Sequence, residues 1–152
     1  MVSLLDGFGP CGKRIADYFS NQLSYSLYNN KKKFELAVNA RDIQKSLKAS
    51  IKEAEDKLKY CDLETDVSGS TFLGVFLEKT RIHTINIGTG RAFLARNNPV
   101  KDSKEVIELS SEHRLGRADE KRRVIGTDIA DIKKAEASDG AFFGPERIFV
   151  SS

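Results

Sequence analysis

The sequence predicts an α+β fold in which a pair of helices packs against antiparallel strands. Two amphipathic helical patterns follow one another in the first part of the chain. After Ser70 the hydrophobic pattern changes to short apolar runs, which are separated mostly by turn residues. Helices that precede strands, instead of alternating with them, favour an antiparallel sheet with the helices on one face.

The chain opens with a short apolar segment from Val2 to Leu5, which we expect to be a strand ending at the Asp6-Gly7 turn. A loop rich in glycine and proline follows. Ile15, Phe19 and Leu23 then recur every four residues, which is the spacing of one helix face. This segment therefore predicts the first helix.

The second helix has the most regular hydrophobic pattern in the chain. Its apolar residues are spaced by four, four, three and four positions, which places them on one stripe between charged faces. Two consecutive amphipathic helices joined by a polar loop tend to pack antiparallel on a common surface. The stripe consists of Ile43, Leu47, Ile51, Ala54 and Leu58.

The strand region begins with the continuous apolar run Thr71–Leu77, a pattern typical of a strand buried on both faces. Glu78 to Arg81 predicts a hairpin turn, and Ile82–Ile87 is expected to return beside the first strand. Further strands are predicted at Ala92–Ala95, before a turn at Asn97-Asn98-Pro99, and at Val106–Leu109 and Arg147–Val150, with a short helix around Ala118–Val124.

Composition limits the class of protein. The chain has 152 residues, a size that fits one domain over residues 1–152, with 39% hydrophobic and 31% charged residues. Its net charge of +3 does not favour a nucleic-acid partner, and no apolar stretch is long enough to span a membrane. Two cysteines, Cys11 and Cys61, do not make a disulfide scaffold, so we expect an intracellular protein. The Lys31–Lys33 run predicts a solvated loop, with docking of an anionic or protein partner as the alternative.

The loop after the first strand can be interpreted as either of two motifs, and the chemistry of its residues distinguishes between them. From Gly7 to Lys13 it matches the glycine and lysine positions of a phosphate-binding P-loop, but Arg14 stands where that motif needs a hydroxyl. Pro10 also removes an N–H group, so the pattern does not favour nucleotide binding. As an Asp-Gly turn after a strand, the same loop can supply a carboxylate from Asp6 and a carbonyl oxygen from Gly7. These are ligands suited to Mg²⁺ or Mn²⁺.

The same loop resembles the signature of a known family. Asp6-Gly7-Phe8-Gly9-Pro10 resembles the Asp-Gly-His-Gly-Pro motif of the protein phosphatase 2C family of metal-dependent serine/threonine phosphatases. Further segments resemble later blocks of that family, in the family's order, and together they extend over nearly the whole chain. They are Ser68-Gly69-Ser70-Thr71, Asn86 to Leu94, Glu112-His113-Arg114 with Glu120 to Val124, and Gly144 to Ile148.

The resemblance implies a fold and a mechanism. The family has an antiparallel β-sandwich of two stacked sheets flanked by helix pairs. Two bridging metal ions, Mg²⁺ or Mn²⁺, activate a water that attacks a phosphoserine or phosphothreonine. Carried over to this sequence, Asp6 and the Gly7 carbonyl are the expected metal ligands.

Departures from the family pattern bear directly on catalysis. Phe8 occupies the position of the family's general-acid histidine, and phenylalanine has no proton to give. Thr89 occupies an accessory acidic position, where a neutral hydroxyl is a poorer ligand for a divalent cation. Asp139 superficially resembles a later Asp-Gly metal ligand, but its position predicts a surface turn. The family's opening strand and its later metal-binding motifs are not recognised, so we expect an incomplete domain.

These departures predict a protein phosphatase 2C-like domain that is catalytically impaired and acts as a pseudophosphatase or regulatory binding domain. The alternatives are part of an active Mg²⁺- or Mn²⁺-dependent serine/threonine phosphatase, and a plain protein-interaction module. In each case we expect a phosphoprotein or regulatory protein as partner, no nucleic acid and no membrane, and a location in the cytoplasm or nucleus.

Overall fold

The computed structural model describes residues 1–29, 40–77, 80–98, 102–127, 130–136 and 140–150. It confirms the α+β class, with the helix pair preceding most of the strands. None of the helices in these ranges is long and apolar enough to cross a membrane. The elements are β1 (Val2–Leu4), β2 (Gly7–Phe8), α1 (Gly12–Asn29), α2 (Ala40–Leu58), β3 (Gly69–Ser70), β4 (Phe72–Leu77), β5 (Ile82–Ile87), β6 (Phe93–Asn98), β7 (Ser103–Glu108), α3 (Ala118–Ile125), β8 (Ala130–Glu136) and β9 (Phe142–Val150).

The two long helices form the pair that their hydrophobic patterns predict. Polar groups inside the interface are satisfied, because the buried hydroxyls of Ser26 and Ser50 lie 3.1 Å apart. The Tyr18 hydroxyl also donates a hydrogen bond to the Ala54 carbonyl oxygen, at 3.3 Å. Each helix turns its apolar stripe inward, and the buried members of the two stripes are Ile15 and Leu23 of α1 and Leu47 and Ala54 of α2.

A three-stranded antiparallel sheet with the order β1-β4-β5 lies against this helix pair. Phe72 of β4 forms the centre of the contact, packed with Leu23 and Ala54. In the sheet register Gly74 pairs with Ile85, so Ile85 shares the face that Phe72 presents to the helices. The partly buried side chains around this core are Leu5, Phe19, Ile51 and Ile85.

Strand β4 is buried on both faces only at its beginning, so the prediction for the whole run was wrong in part. Phe72, Leu73 and Gly74 are buried, whereas Leu77 is 70% exposed. The helix pair covers one face of the sheet, and among the described residues the segment 109–111 lies on the other face beside Thr84 and Asn86. A continuous apolar run therefore does not guarantee two covered faces.

The remaining strands form three separate two-stranded antiparallel ladders, β2-β3, β6-β7 and β8-β9. Within the described ranges no second sheet is stacked on β1-β4-β5, so the predicted β-sandwich is not seen there. A single helix pair lies on one face, where the family pattern predicts helix pairs outside two sheets. The structure thus shows the fold class and the antiparallel pairing of the prediction, but not its layered architecture.

Strand β8 was not predicted from the sequence. It contains Lys133 and Lys134, which are exposed, and it pairs with β9 in an antiparallel ladder. Strand β6 extends through Asn97 and Asn98, where a turn was predicted. The predicted Lys31–Lys33 loop, Asp139 and the turn residues Glu78 and Lys79 lie outside the described residues.

The short helix α3 is held by a carboxylate with little solvent contact. The Glu120 side chain is 11% exposed, and it accepts two hydrogen bonds from the Arg123 guanidinium, one of them from Nε at 2.9 Å. His113 Nδ1 lies 3.4 Å from Glu120 Oε2. The hydrogen bonds from Arg123 lower the pKa of Glu120 from 4.5 to about 2, and the neighbouring His113 adds to this effect.

Replacing Glu120 with glutamine is expected to destabilise the fold by about 2 kcal/mol at neutral pH, since charge-assisted bonds to a largely buried carboxylate are lost. Because the folded-state pKa lies below the unfolded one, this stabilisation exists above about pH 4.5 and disappears as the pH falls towards 2. Urea unfolding of both proteins across this range measures it. The control is Asp62→Asn, which removes an exposed carboxylate. A Glu120→Gln penalty that persists unchanged at pH 2 would contradict the assignment.

Candidate functional site

The predicted metal-binding aspartate lies at the corner between β1 and β2. Its backbone is fixed by Thr71, the residue between β3 and β4: the Thr71 N–H donates to the Asp6 carbonyl oxygen at 2.9 Å, and the Asp6 N–H donates to Thr71 Oγ1 at 3.3 Å. The Ser70 hydroxyl oxygen lies 3.3 Å from the Asp6 carbonyl oxygen and 2.8 Å from the Thr71 carbonyl oxygen, to which its proton is donated. Asp6 itself is exposed. A rigid backbone therefore presents this carboxylate to solvent.

Gly7 is required by backbone packing. A Cβ atom at Gly7 would lie 2.2 Å from the carbonyl oxygen of Gly12, and one at Gly12 would lie 2.7 Å from the carbonyl carbon of Gly7. The short strand β2 thus contacts the start of α1 backbone to backbone. This close approach gives the two glycines of the motif a structural role that is independent of any metal.

The turn into α1 depends on two residues that the sequence analysis did not assign to the site. The Cys11 N–H donates to the Ser68 hydroxyl oxygen at 3.1 Å, and the buried Ser68 hydroxyl donates to Glu64 Oε2 at 3.2 Å. The other carboxylate oxygen of Glu64 accepts the backbone N–H groups of Asp66 and Val67. Ser68 belongs to the recognised Ser-Gly-Ser-Thr block, but no pattern in the sequence links it to Cys11.

Phe8 fills space beside the following strand. Its ring lies over Gly69, where an added Cβ would be 2.5 Å from the ring carbon Cζ. Phe8 and Gly69 are also paired across the β2-β3 ladder. The side chain remains 52% exposed. The aromatic ring thus packs on a glycine and has no proton to offer a leaving group, and its assignment to the family's general-acid position stays a prediction.

The loop with Thr89 lies next to the same corner. A Cβ at Gly88 would be 2.9 Å from Cγ2 of Thr71, the residue that is hydrogen-bonded to Asp6. Asn86 holds this loop, because its Nδ2 lies 2.7 Å from the carbonyl oxygens of both Gly90 and Ser111. Thr89 itself is exposed. The loop that contains Thr89 therefore lies beside Thr71, at the corner that also carries Asp6, and the accessory role of Thr89 stays a prediction.

The donor set at this corner does not fit the two-metal centre that the family resemblance implies. Across the described ranges there is no group of three or more His, Cys, Asp or Glu side chains that could hold a metal ion. Asp6 contributes one carboxylate and Gly7 one carbonyl, whereas a divalent cation of this type needs about six oxygen ligands. The assignment of Asp6 and Gly7 as metal ligands remains a prediction.

Comparison with known proteins places this geometry in a family context. The model of the family described as protein phosphatase 2C matches residues 6–130. Protein phosphatase 1B of Rattus norvegicus is 30% identical over 102 residues, which cover 60% of this chain and 26% of the rat protein. The matched region thus spans about a quarter of the length of that relative. Because the family match begins at Asp6 and extends over most of the chain, the motifs described above are those of a member of the protein phosphatase 2C family.

Proposed function

We propose that this chain is a non-catalytic protein phosphatase 2C domain, a pseudophosphatase that acts as a regulatory binding domain. The observation that carries the proposal is Phe8, whose ring packs on Gly69 in the general-acid position. General acid–base catalysis contributes about 10²- to 10⁴-fold to a rate. Its loss alone removes a large part of the hydrolytic power of this family.

The metal side of the site supports the same proposal. In the Asp-Gly motif, Asp6 supplies one carboxylate and Gly7 supplies only a backbone carbonyl. Thr89 supplies a neutral hydroxyl at a position where an acidic residue would strengthen cation binding. Activation of water by two metal ions needs several carboxylates that bridge and orient them. Among the described residues, Asp6 does not belong to any group of carboxylates that could hold a metal ion.

A binding role makes use of what the corner does present. Asp6 and Phe8 are both exposed, and they are held by a backbone that is tied to β3 and to the start of α1. A rigid surface with an exposed aromatic ring loses little conformational entropy when it binds. We propose a phosphoprotein or a regulatory protein as its partner. We also propose that the domain has the two-sheet sandwich fold of its family.

The alternative, part of an active Mg²⁺- or Mn²⁺-dependent serine/threonine phosphatase, makes a different prediction for turnover. We expect this chain to hydrolyse p-nitrophenyl phosphate with Mn²⁺ no faster than its Asp6→Asn variant. We also expect the Phe8→His variant to remain within twofold of that background, because a restored acid does not supply the missing carboxylates. Release of p-nitrophenol, followed by absorbance, measures both rates.

Four proteins make this experiment decisive: the unmodified chain, the two single variants and the double variant. Turnover by the unmodified chain that Asp6→Asn abolishes would favour the active alternative and refute the proposal. Turnover that appears only in Phe8→His, and is lost again in the double variant with Asp6→Asn, would show that only the acid is missing. Background rates in all variants, with unchanged circular dichroism spectra, would support a non-catalytic domain.

A further inference from the structure

A cavity of about 280 Å³ lies between the helix pair and the β1-β4-β5 sheet. One wall consists of residues from the two helices, and the opposite wall comes mainly from Leu5, the segment 68–72 and Ile87. The helix residues are Ile15, Phe19, Leu23, Ile51, Glu55 and Leu58. The cavity therefore lies inside the helix–sheet contact, towards the start of α1 and the end of α2.

The cavity is on the side of the sheet that the helix pair covers. Phe72 and Ile87 line it, and they are paired in the β4-β5 ladder, so their side chains share one face of the sheet. The segment 109–111 lies on the opposite face, beside Thr84 and Asn86. A second sheet stacked as in the proposed sandwich would lie on that opposite face. It would therefore not fill the cavity.

The deep part of the cavity is apolar. Ile15, Leu23 and Phe72 are its most deeply buried apolar side chains, with exposures of 1, 4 and 7%. An apolar cavity of about 150 Å³ is large enough to bind benzene. The volume of about 280 Å³ therefore accommodates a ring system larger than benzene.

The hydroxyl groups in the wall are satisfied by the protein itself. The Ser68 hydroxyl donates to Glu64 Oε2 at 3.2 Å. The Ser70 hydroxyl donates to the Thr71 carbonyl oxygen at 2.8 Å, and Thr71 Oγ1 accepts the Asp6 N–H. Among the residues that the structure describes, no polar side-chain atom of the wall is buried without a hydrogen-bond partner. Because a buried water needs about two to four polar partners, this cavity favours an apolar occupant.

Two features of the wall indicate which apolar molecules fit. The rings of Phe19, from the helix wall, and Phe72, from the sheet wall, both line the cavity. Aromatic rings in contact attract one another beyond the effect of the area they bury, so these rings favour an aromatic ligand. Glu55 marks where the cavity reaches the surface, because its side chain lines the cavity and is 56% exposed. A carboxylate at this edge disfavours an anionic ligand.

We propose that this cavity binds a small uncharged aromatic molecule of about the size of indole. The ring system lies between the helix pair and the start of β4. The wall segment 68–72 also holds the backbone of Asp6 and Cys11, so the ligand lies directly behind the candidate functional site. The proposal does not rest on the pseudophosphatase proposal, because neither Asp6 nor Phe8 lines the cavity.

Methyl NMR of the unmodified chain, titrated with indole, tests the proposal. We expect saturable shift changes at the methyl groups of Ile15, Leu23 and Ile51, because the ring current of a bound aromatic molecule acts on nearby protons. The changes should fit one dissociation constant of about 1 mM or tighter. The internal controls are Ile125 and Val106, which are 55 and 67% exposed and do not line the cavity. Their methyl signals should not move.

Leu58→Trp is a variant that fills the cavity. Leu58 lines the cavity and is partly buried, so a tryptophan there places a covalently attached indole ring where the free molecule binds. We expect the dissociation constant for free indole to rise at least about tenfold. The matched control is Leu77→Trp, because Leu77 is 70% exposed and does not line the cavity. It should leave the dissociation constant unchanged.

Three results would overturn the proposal. The first is a titration of the unmodified chain with no saturable shift at the wall methyl groups. The second is a shift at Ile125 as large as that at Ile51, since this describes adsorption to exposed apolar surface. The third is binding that a folded Leu58→Trp variant leaves unchanged, which places the molecule elsewhere. Should circular dichroism show that Leu58→Trp is unfolded, the methyl shifts of the unmodified chain decide the question.

Discussion

Replacement of Phe72 with alanine is expected to lower the free energy of unfolding by about 3–5 kcal/mol. Phe72 is 7% exposed and packs with Leu23 and Ala54 where the helix pair meets the sheet. The variant loses the transfer free energy of a buried ring, and it enlarges a cavity of about 280 Å³ that Phe72 already lines. The change in the midpoint of urea unfolding, at an unchanged slope, measures this loss.

The matched control for this variant is Phe142→Ala. Phe142, on β9, is 67% exposed, so its truncation is expected to change the free energy of unfolding by less than about 1 kcal/mol. An equal loss in the two variants would mean that the helix–sheet contact is not the core of the fold. A loss confined to Phe72→Ala supports the packing described above.

The second large effect is expected for Gly7→Ala. An added Cβ would meet the carbonyl oxygen of Gly12 at 2.2 Å, and both contacting segments are backbone, which cannot rotate out of the way. The corner that presents Asp6 must then open. We expect a loss of about 3 kcal/mol, at the upper end of the range for overpacked sites, measured by urea unfolding.

Gly116→Ala is the control for this substitution. A Cβ at Gly116 would meet only the Arg114 side chain, at 3.7 Å, which is ordinary van der Waals contact. Its effect should lie within about 1 kcal/mol of zero. A Gly7→Ala variant as stable as Gly116→Ala would show that β2 and α1 do not approach as closely as described. The glycine of the Asp-Gly motif would then have no packing role.

Hydrophobic periodicity was sufficient to predict those helices and strands that bury one regular face. The stripe containing Leu47 and Ala54 predicted α2, because helices that pack on a sheet repeat their apolar residues every three or four positions. The apolar run after Thr71 likewise predicted β4. Strand β8 has no such stripe, since Lys133 and Lys134 are exposed and its order comes from hydrogen bonds to β9. Pairing between distant segments leaves little trace in a local pattern.

The candidate site also combines residues that the sequence predicted with contacts that only the structure shows. Short motifs were enough to single out four candidate residues, because each stands within a contiguous block that resembles the protein phosphatase 2C family. They are Asp6, Gly7, Phe8 and Thr89. Ser68 and Glu64 were not linked to the turn before α1, since their contact with Cys11 joins residues more than fifty positions apart. The packing of the Phe8 ring on Gly69 is equally non-local.

The amino-acid sequence alone established the family, because the motifs that resemble it are contiguous blocks of residues. The loss of a proton donor at Phe8 and of an acidic ligand at Thr89 stays a prediction from side-chain identity. It also established the helix pair, because amphipathic periodicity is a local property. Only the tertiary structure decided which apolar residues are covered. Leu73 and Leu77 belong to one apolar run and the same sheet face, yet Leu73 is 9% exposed and Leu77 is 70% exposed. Burial depends on what packs against a residue from elsewhere in the chain, and among the described residues the segment after β7 lies over one end of that face.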